Sequence, residues 1–260
     1  TVPSDWVNIP SFEVFLTFKL PPLTSIIPPQ VSPLSTTILP FLTLTFPASD
    51  ILTTVLSLTE PLLKVKGKSI IQYVYEAAKK SKNADIVIVA TDDKRIEDEV
   101  KSFGGLCEMT SESCKSGSDR IAQVTKRHED FKYILNLQGD EPQIAPEVID
   151  KAIDTLKSDN ACDISTLVRE ITDIEQINNP NCVKCVFDNN FNALYFSRCP
   201  IPYKRNENKS PYYAHIGIYG YKKESLLKMT TLPQTNLELQ ESLEQLRALQ
   251  NSMKIKVAIV

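Results

Sequence analysis

The sequence predicts an α/β protein with a mixed, mostly parallel sheet and an antiparallel sub-sheet. Three observations carry that expectation. The continuous apolar runs "ADIVIVAT" and "YILNLQGDE" read as strands covered on both faces. Segments of helical period alternate with them, as βαβ units require. Further on, "CVKCVFD", "NALYFSR" and "AHIGIYGY" follow one another without clear helices between them, so that region should pair antiparallel.

The elements follow in chain order. "KSIIQYVYEAAKKSK" puts Ile70, Ile71, Val74, Ala77 and Ala78 on one helical face. After the strand "ADIVIVAT", the stretch "KRIEDEVKSFGG" is a helix stopped by Gly104 and Gly105. "SGSDRIAQVTKRH" opens a helix with Ser116 or Ser118 as its cap. After "YILNLQGDE", "APEVIDKAIDTLKSD" is a helix with Pro146 in its first turn. "DISTLVRE" is a strand ahead of the antiparallel group. "LELQESLEQLRALQNS" is a strong amphipathic helix, and "KIKVAIV" is a last strand.

The first sixty residues are different. Residues 1–61 hold ten of the 17 prolines and none of the seven glycines, and no charge falls between Leu20 and Ser49. Prolines every few residues break any membrane-spanning helix. The start "TVPSDWVNIP" lacks the basic residues and apolar run of a secretory signal. We expect residues 1–60 to be a low-complexity, proline-rich segment outside the fold, with at most a short strand around Phe41–Phe46. Residues 61–260 are expected to form the working domain.

Composition narrows the function. The net charge of -3 comes from interspersed signs, so neither a nucleic-acid nor a membrane partner is expected. Six cysteines in 260 residues are too few for a disulfide framework and fit reduced thiols in a cytoplasmic protein. Cys182 and Cys185 form a C-x-x-C, but three residues apart on a strand they point to opposite faces and do not share a metal.

In open α/β sheets ligands gather beyond the carboxyl ends of the parallel strands. Two such ends carry acids, Asp92–Asp93 and Asp140–Glu141. No dinucleotide fingerprint or P-loop is present. Asp140 suits a magnesium ion bound together with substrate phosphates, or equally a turn before Pro142. Arg120, at a helix start, suits a polar base or an anion, or is a surface arginine. Arg198, ending "LYFSR", suits a carboxylate, or is an edge charge. His215 within "YYAHIGIYGY" reads as a structural strand histidine, and His128 as a solvated helix end. Glu244 and Gln245 sit on a helix otherwise made of core and surface positions.

Taken in order, "PLLKVKGKSIIQYVYEAA", "IVIVATDD", "KSGSDRIAQV", "LNLQGDEPQI", "NNPNCVKCVFD", "ALYFSRCPIP", "HIGIYGY" and "LEQLRAL" resemble the 3-deoxy-manno-octulosonate (Kdo) cytidylyltransferases, the CMP-Kdo synthetases. The resemblance covers about residues 61–260. It implies a Rossmann-like nucleotide-diphospho-sugar transferase fold and a homodimer. It also implies the reaction CTP + Kdo → CMP-Kdo + pyrophosphate, for lipopolysaccharide or cell-wall Kdo, with Mg2+ as cofactor. By matched position, Asp140 would be the magnesium carboxylate and Gln138 a contact to CTP or sugar. Ser116, Gly117 and Arg120 would recognise the cytidine. Arg198, His215, Tyr219, Glu244 and Gln245 would hold Kdo. A sialate or 8-amino-Kdo synthetase, or a member without catalysis, are the alternative readings.

The resemblance also implies a basic loop, Ile-Pro-Ala-Arg-x-x-Ser-x-Arg-x-x-x-Lys-Pro-Leu, around the triphosphate. In its place stands "FPASDILTTVLSLTEPLL", with Ser49 for the first arginine, Glu60 for the lysine, and no Arg or Lys between Phe46 and Pro61. Each lost charge-assisted contact costs ~1.5–3 kcal/mol. The nearby Lys64, Lys66 and Lys68 are not expected to substitute. The family's second magnesium aspartate lies beyond a strand like that before Val260. We expect the first sixty residues to come from a foreign reading frame or an unspliced segment, and the carboxyl end to be truncated.

Overall fold

Apolar runs at regular intervals assemble one large mixed sheet with helices on both faces. The computed structural model describes residues 12–18, 60–138, 142–206 and 210–260. The strands are β1 (Phe12–Phe18), β2 (Lys64–Val65), β3 (Lys68–Ser69), β4 (Ile86–Thr91), β5 (Cys107–Met109), β6 (Tyr133–Gln138), β7 (Ile164–Ile171), β8 (Lys184–Phe187), β9 (Ala193–Ser197), β10 (Tyr212–Lys222) and β11 (Ile255–Ile259). The helices are α1 (Ile70–Lys79), α2 (Lys94–Ser102), α3 (Gly117–Thr125), α4 (Pro146–Lys157), α5 (Ile174–Asn178), α6 (Lys223–Thr231), α7 (Asn236–Glu241) and α8 (Gln245–Gln250).

The main sheet runs β11-β7-β10-β6-β1-β4-β5, with β8 on β10 and β9 on β8. The pairings make β5, β4, β6, β7 and β11 run one way and β1 and β10 the other. The mixed sheet and the antiparallel β8–β9–β10 group match the expected class, but the pairing is not mostly parallel as expected. Among the described strands of this sheet only β4–β5 and β7–β11 pair in parallel, because β1 and β10 run against the strands they separate. Alternation along the strands sorts the core. Val87, Val89, Leu135 and Leu137 pack with Ile71, Val74, Ile96, Val100, Ile149 and Ile153, from α1, α2 and α4. Ile88, Ala90 and Ile134 pack on the opposite face with Ile121, Leu226 and Leu246, from α3, α6 and α8. Among the described residues no helix is long and apolar enough to cross a membrane.

Three further expectations need correction. Phe12–Phe18, within the segment expected to lie outside the fold, pairs antiparallel with both β4 and β6 at the centre of the sheet. "FEVFLTF" is rich in β-branched and aromatic residues, and a gap between β4 and β6 would leave two rows of backbone groups unpaired. The low charge and many prolines around it hid that signal. Phe41–Phe46 lies outside the described residues. Next, "LELQESLEQLRALQNS" is not one helix. Ser242 adopts a left-handed conformation, φ 51°, and ends α7, so α8 restarts at Gln245. The hydrophobic period continues through that break, which is why the sequence reads as one helix. Finally, Lys68–Ser69 is extended and α1 begins only at Ile70.

The two strand-end acids nearest α2 have structural duties. Asp93 caps α2 by accepting from the backbone N–H of Arg95 at 2.8 Å. The Arg95 side chain beside it holds the Asp93 carboxyl below its ordinary range.

Gly220, where β10 passes β7, shows how close the layers are. A Cβ there would collide with Ser165 Oγ, which donates to Ala152 O at 2.7 Å. Gly220→Ala should therefore cost ~1–3 kcal/mol through overpacking, read as a lower urea midpoint with unchanged m-value. An unchanged midpoint would show that the sheet–α4 contact gives way freely.

Candidate active site

A cavity of ≈ 460 Å³ opens where β6 ends, bounded by β10, the start of α3, Arg198 just after β9, and the α7–α8 break. Of the residues singled out in the sequence, Gly117, Gln138, Arg198, His215, Tyr219, Glu244 and Gln245 line it. Segments more than a hundred residues apart thus meet at one place. Asp140 lies outside the described residues, as does Glu141. Ser116 and Arg120 are not among the lining residues.

Arg198 reaches the cavity at the end of the β8–β9 pair. Its Nε donates to Glu241 O at 2.6 Å, Nη1 to Pro180 O at 3.0 Å and Nη2 to Ser242 O at 3.3 Å. These partners are all main-chain carbonyls. A guanidinium has five N–H donors, so two remain for a ligand. The Glu241 carboxylate is engaged elsewhere, by Arg198 N at 2.8 Å and Ser197 Oγ at 2.6 Å. Behind Arg198 lies Lys184, a fully buried lysine that the sequence reading passed over. Its ammonium donates to Asn179 O at 2.9 Å and to Cys182 O and Arg198 O at 2.6 Å. Burial lowers its pKa. The sequence signal was a lone lysine inside the apolar "NCVKCVFD".

Glu244 lines the same cavity as Arg198, at the restart of the last helix pair. Its carboxylate accepts from Ser116 Oγ at 2.9 Å and Ser118 Oγ at 2.6 Å, and Arg247 Nη2 stands 3.5 Å away. Ser116 also caps α3, accepting from Asp119 N at 3.2 Å. Its hydroxyl therefore fixes an acid of the cavity. Arg120 is buried, donating through Nη2 to Asp92 Oδ2 at 2.6 Å and through Nη1 to Thr110 Oγ1.

The floor of the cavity comes from β6 and β10. The register of β10 against β7 shifts between Ile216 and Tyr219, a β-bulge, and bulges re-aim side chains. The bulge contains Gly217. A Cβ there would stand 3.2 Å from Gln138 Oε1, so glycine makes the room that Gln138 fills. The His215 ring is edge-on to Phe196, centroids 5.1 Å apart, and 5.2 Å from Tyr219. Burial pulls its pKa down to about 3, so the imidazole is neutral at physiological pH.

Two further polar groups await partners. Asn136 Oδ1 and Gln245 Nε2 are buried and meet no hydrogen-bond partner among the described residues. Both residues line the cavity. Asn136 was missed in the sequence, where an asparagine inside "YILNLQ" is its only mark. The cavity thus offers a cationic fork, a neutral imidazole, an acid already held by hydroxyls, and unsatisfied amides. That set suits a small acid bearing several hydroxyls.

The described residues contain no cluster of three acidic, histidine or cysteine side chains able to hold a metal. All six cysteines are free thiols, and burial pushes Cys185 up to about 12. Of the lysines near the basic-loop position, Lys68 is engaged by Glu76 at 2.7 Å and Lys64 stands 3.7 Å from Glu99.

Comparison with known proteins fits this geometry. The family model "Cytidylyltransferase" matches residues 60–255. The 3-deoxy-manno-octulosonate cytidylyltransferase of Chlamydia trachomatis serovar L2 is 46% identical over 202 residues, which span 77% of this chain and 79% of the relative. The 8-amino-3,8-dideoxy-manno-octulosonate cytidylyltransferase of Shewanella pealeana is 47% identical over 203 residues, 77% of this chain and 83% of the relative. A solved CMP:2-keto-3-deoxy-manno-octonic acid synthetase complexed with CTP is 40% identical, with a TM-score of 0.74 over 77% of this chain and 83% of its own. The chain belongs to the cytidylyltransferase family of nucleotidyltransferases, within the group of the 3-deoxy-manno-octulosonate cytidylyltransferases.

Proposed function

We propose that the protein transfers a cytidylyl group from CTP to the anomeric hydroxyl of Kdo. The sugar oxygen forms a bond to the α-phosphorus, the α–β P–O bond breaks, and pyrophosphate leaves with that electron pair. The hydroxyl proton passes to solvent. The observation that carries this reading is Arg198, whose guanidinium meets only main-chain carbonyls among the described residues and keeps two N–H donors for a carboxylate. Positioning is the main catalytic device open to such a site. Gln138, Tyr219, Glu244 and Gln245 hold the sugar hydroxyls around that anchor. His215, with its pKa near 3, is a neutral imidazole at neutral pH and accepts a hydrogen bond through its unprotonated nitrogen. Gly117, at the start of α3, borders the side from which cytidine would enter.

Glu244 bears on the choice between Kdo and its 8-amino analogue. Two hydroxyls and Arg247 already compensate its charge, so it suits a neutral hydroxyl better than the ammonium of an 8-amino sugar. Asp140, two residues past the end of β6, would hold Mg2+ with phosphate oxygens. Magnesium bound there would neutralise charge on the phosphates. The free thiols fit a cytoplasmic enzyme. The exposed Leu194 and Tyr203 fit a homodimer contact.

Pyrophosphate release from CTP is the direct test, with Kdo, 8-amino-Kdo or sialate, with and without Mg2+. Release with Kdo that needs Mg2+, with a high KM for CTP because of the missing basic loop, is the expected result. No release with Kdo, or faster release with another sugar, would refute the assignment. Asp140→Ala should abolish the rate; a full rate excludes it as the metal carboxylate.

A second expectation concerns Arg198. Arg198→Ala should raise the KM for the sugar about tenfold to a hundredfold, the worth of ~1.5–3 kcal/mol, and leave the KM for CTP within about twofold. Equal effects on both substrates would place Arg198 elsewhere in the mechanism.

A further inference from the structure

We propose that Thr166 is a positioning residue that fixes His215 as the neutral Nε2–H tautomer, so that the imidazole meets a ligand only as an acceptor, through Nδ1. Thr166, on β7, pairs with Tyr219 at the edge of the β10 bulge and is 0% exposed. Its single hydroxyl makes three contacts. Ile218 O lies at 2.7 Å, Ile216 O at 3.3 Å, and His215 Nε2 at 2.8 Å.

Proton counting decides the rest. A hydroxyl has one proton to donate, and carbonyl oxygens have none. The contact to Ile218 O is a hydrogen bond only if Thr166 supplies the proton. The equally short contact to His215 then requires the proton to come from Nε2. The opposite tautomer would turn the threonine proton towards His215. It would leave two bulge carbonyls facing an oxygen lone pair in the core, at a cost of ~1–3 kcal/mol. With Nε2 protonated and the ring neutral between Phe196 and Tyr219, the lone pair is on Nδ1.

The consequence is sorting of ligand groups. An acceptor nitrogen repels carboxylate and phosphate oxygens and takes a hydroxyl. The acid of the ligand is therefore left to Arg198, and a hydroxyl goes to His215. Only the naming of that hydroxyl as a sugar hydroxyl rests on the function proposed above; the tautomer itself does not depend on any substrate.

Long-range 1H–15N correlation spectra of the ligand-free full chain test the tautomer. The chain has only two histidines, and His128→Gln assigns the signals. The expected pattern is a protonated-type Nε2 and an unprotonated-type Nδ1, unchanged from pH 8 to about 5. A protonated Nδ1, or an imidazolium in that range, overturns the proposal. Thr166→Val should produce mixed tautomers and raise the sugar KM about tenfold with a smaller change in kcat, while Thr166→Ser keeps the wild-type pattern and KM. A wild-type nitrogen pattern in Thr166→Val overturns the positioning role. If that variant does not fold, the wild-type and Thr166→Ser spectra still decide. A correct tautomer without Kdo turnover would refute the proposed substrate and leave this inference standing.

Discussion

One wall of the cavity, and its charge, hang on two cations held by neutral main-chain oxygens. A buried ammonium is costly unless its donors are met. Lys184 meets that condition with three carbonyls, from Asn179, Cys182 and Arg198. In doing so it ties the loop after α5 to the end of β9. Arg198 then lies in a second set of carbonyls, from Pro180, Glu241 and Ser242. The two sets share the loop 179–182, and Lys184 also holds the main chain of Arg198 itself. Rigidity at Lys184 is therefore inherited by the arginine that lines the cavity. Because these partners are neutral, they orient the arginine without cancelling its charge.

The other wall depends on irregular backbone. Regular strands would present alternate side chains at fixed intervals. The β10 bulge instead brings Gly217 beneath Gln138 and turns two carbonyls towards Thr166. The left-handed Ser242 likewise breaks a helix whose hydrophobic period would allow it to continue. That break frees Ser242 O for Arg198 and lets Glu244 reach Ser116 and Ser118. Small departures from regular structure thus place most of the polar groups.

Legibility in the sequence follows the same division. Periodicity revealed the strands and helices of the βαβ region, and the ordered strings revealed the family and most of the cavity. The bulge and the helix break were not legible, because neither alters hydrophobic period and Ser242 is no obligate left-handed residue. Lys184 and Asn136 were passed over because a polar residue in an apolar strand gives no hint of which groups will surround it. Ser116 and Arg120 are expected by resemblance to recognise the cytidine, but their partners inside the protein could not be foreseen. The structure engages Ser116 with Glu244 and Arg120 with Asp92, pairings between segments that no local spacing displays. β1 was hidden by its surroundings, although its own seven residues have clear strand character.

The central claim is that Arg198 receives the carboxylate of an acidic sugar. The most direct measurement is calorimetric binding of Kdo and of its C1 carboxamide to the same protein without CTP. The two ligands share every sugar hydroxyl and differ only at C1, where a neutral amide, with one acceptor oxygen and an NH2 donor, replaces the carboxylate. Tighter binding of Kdo by about tenfold or more, as expected for a charge-assisted pair, would support the account. Equal affinity for acid and amide would contradict it.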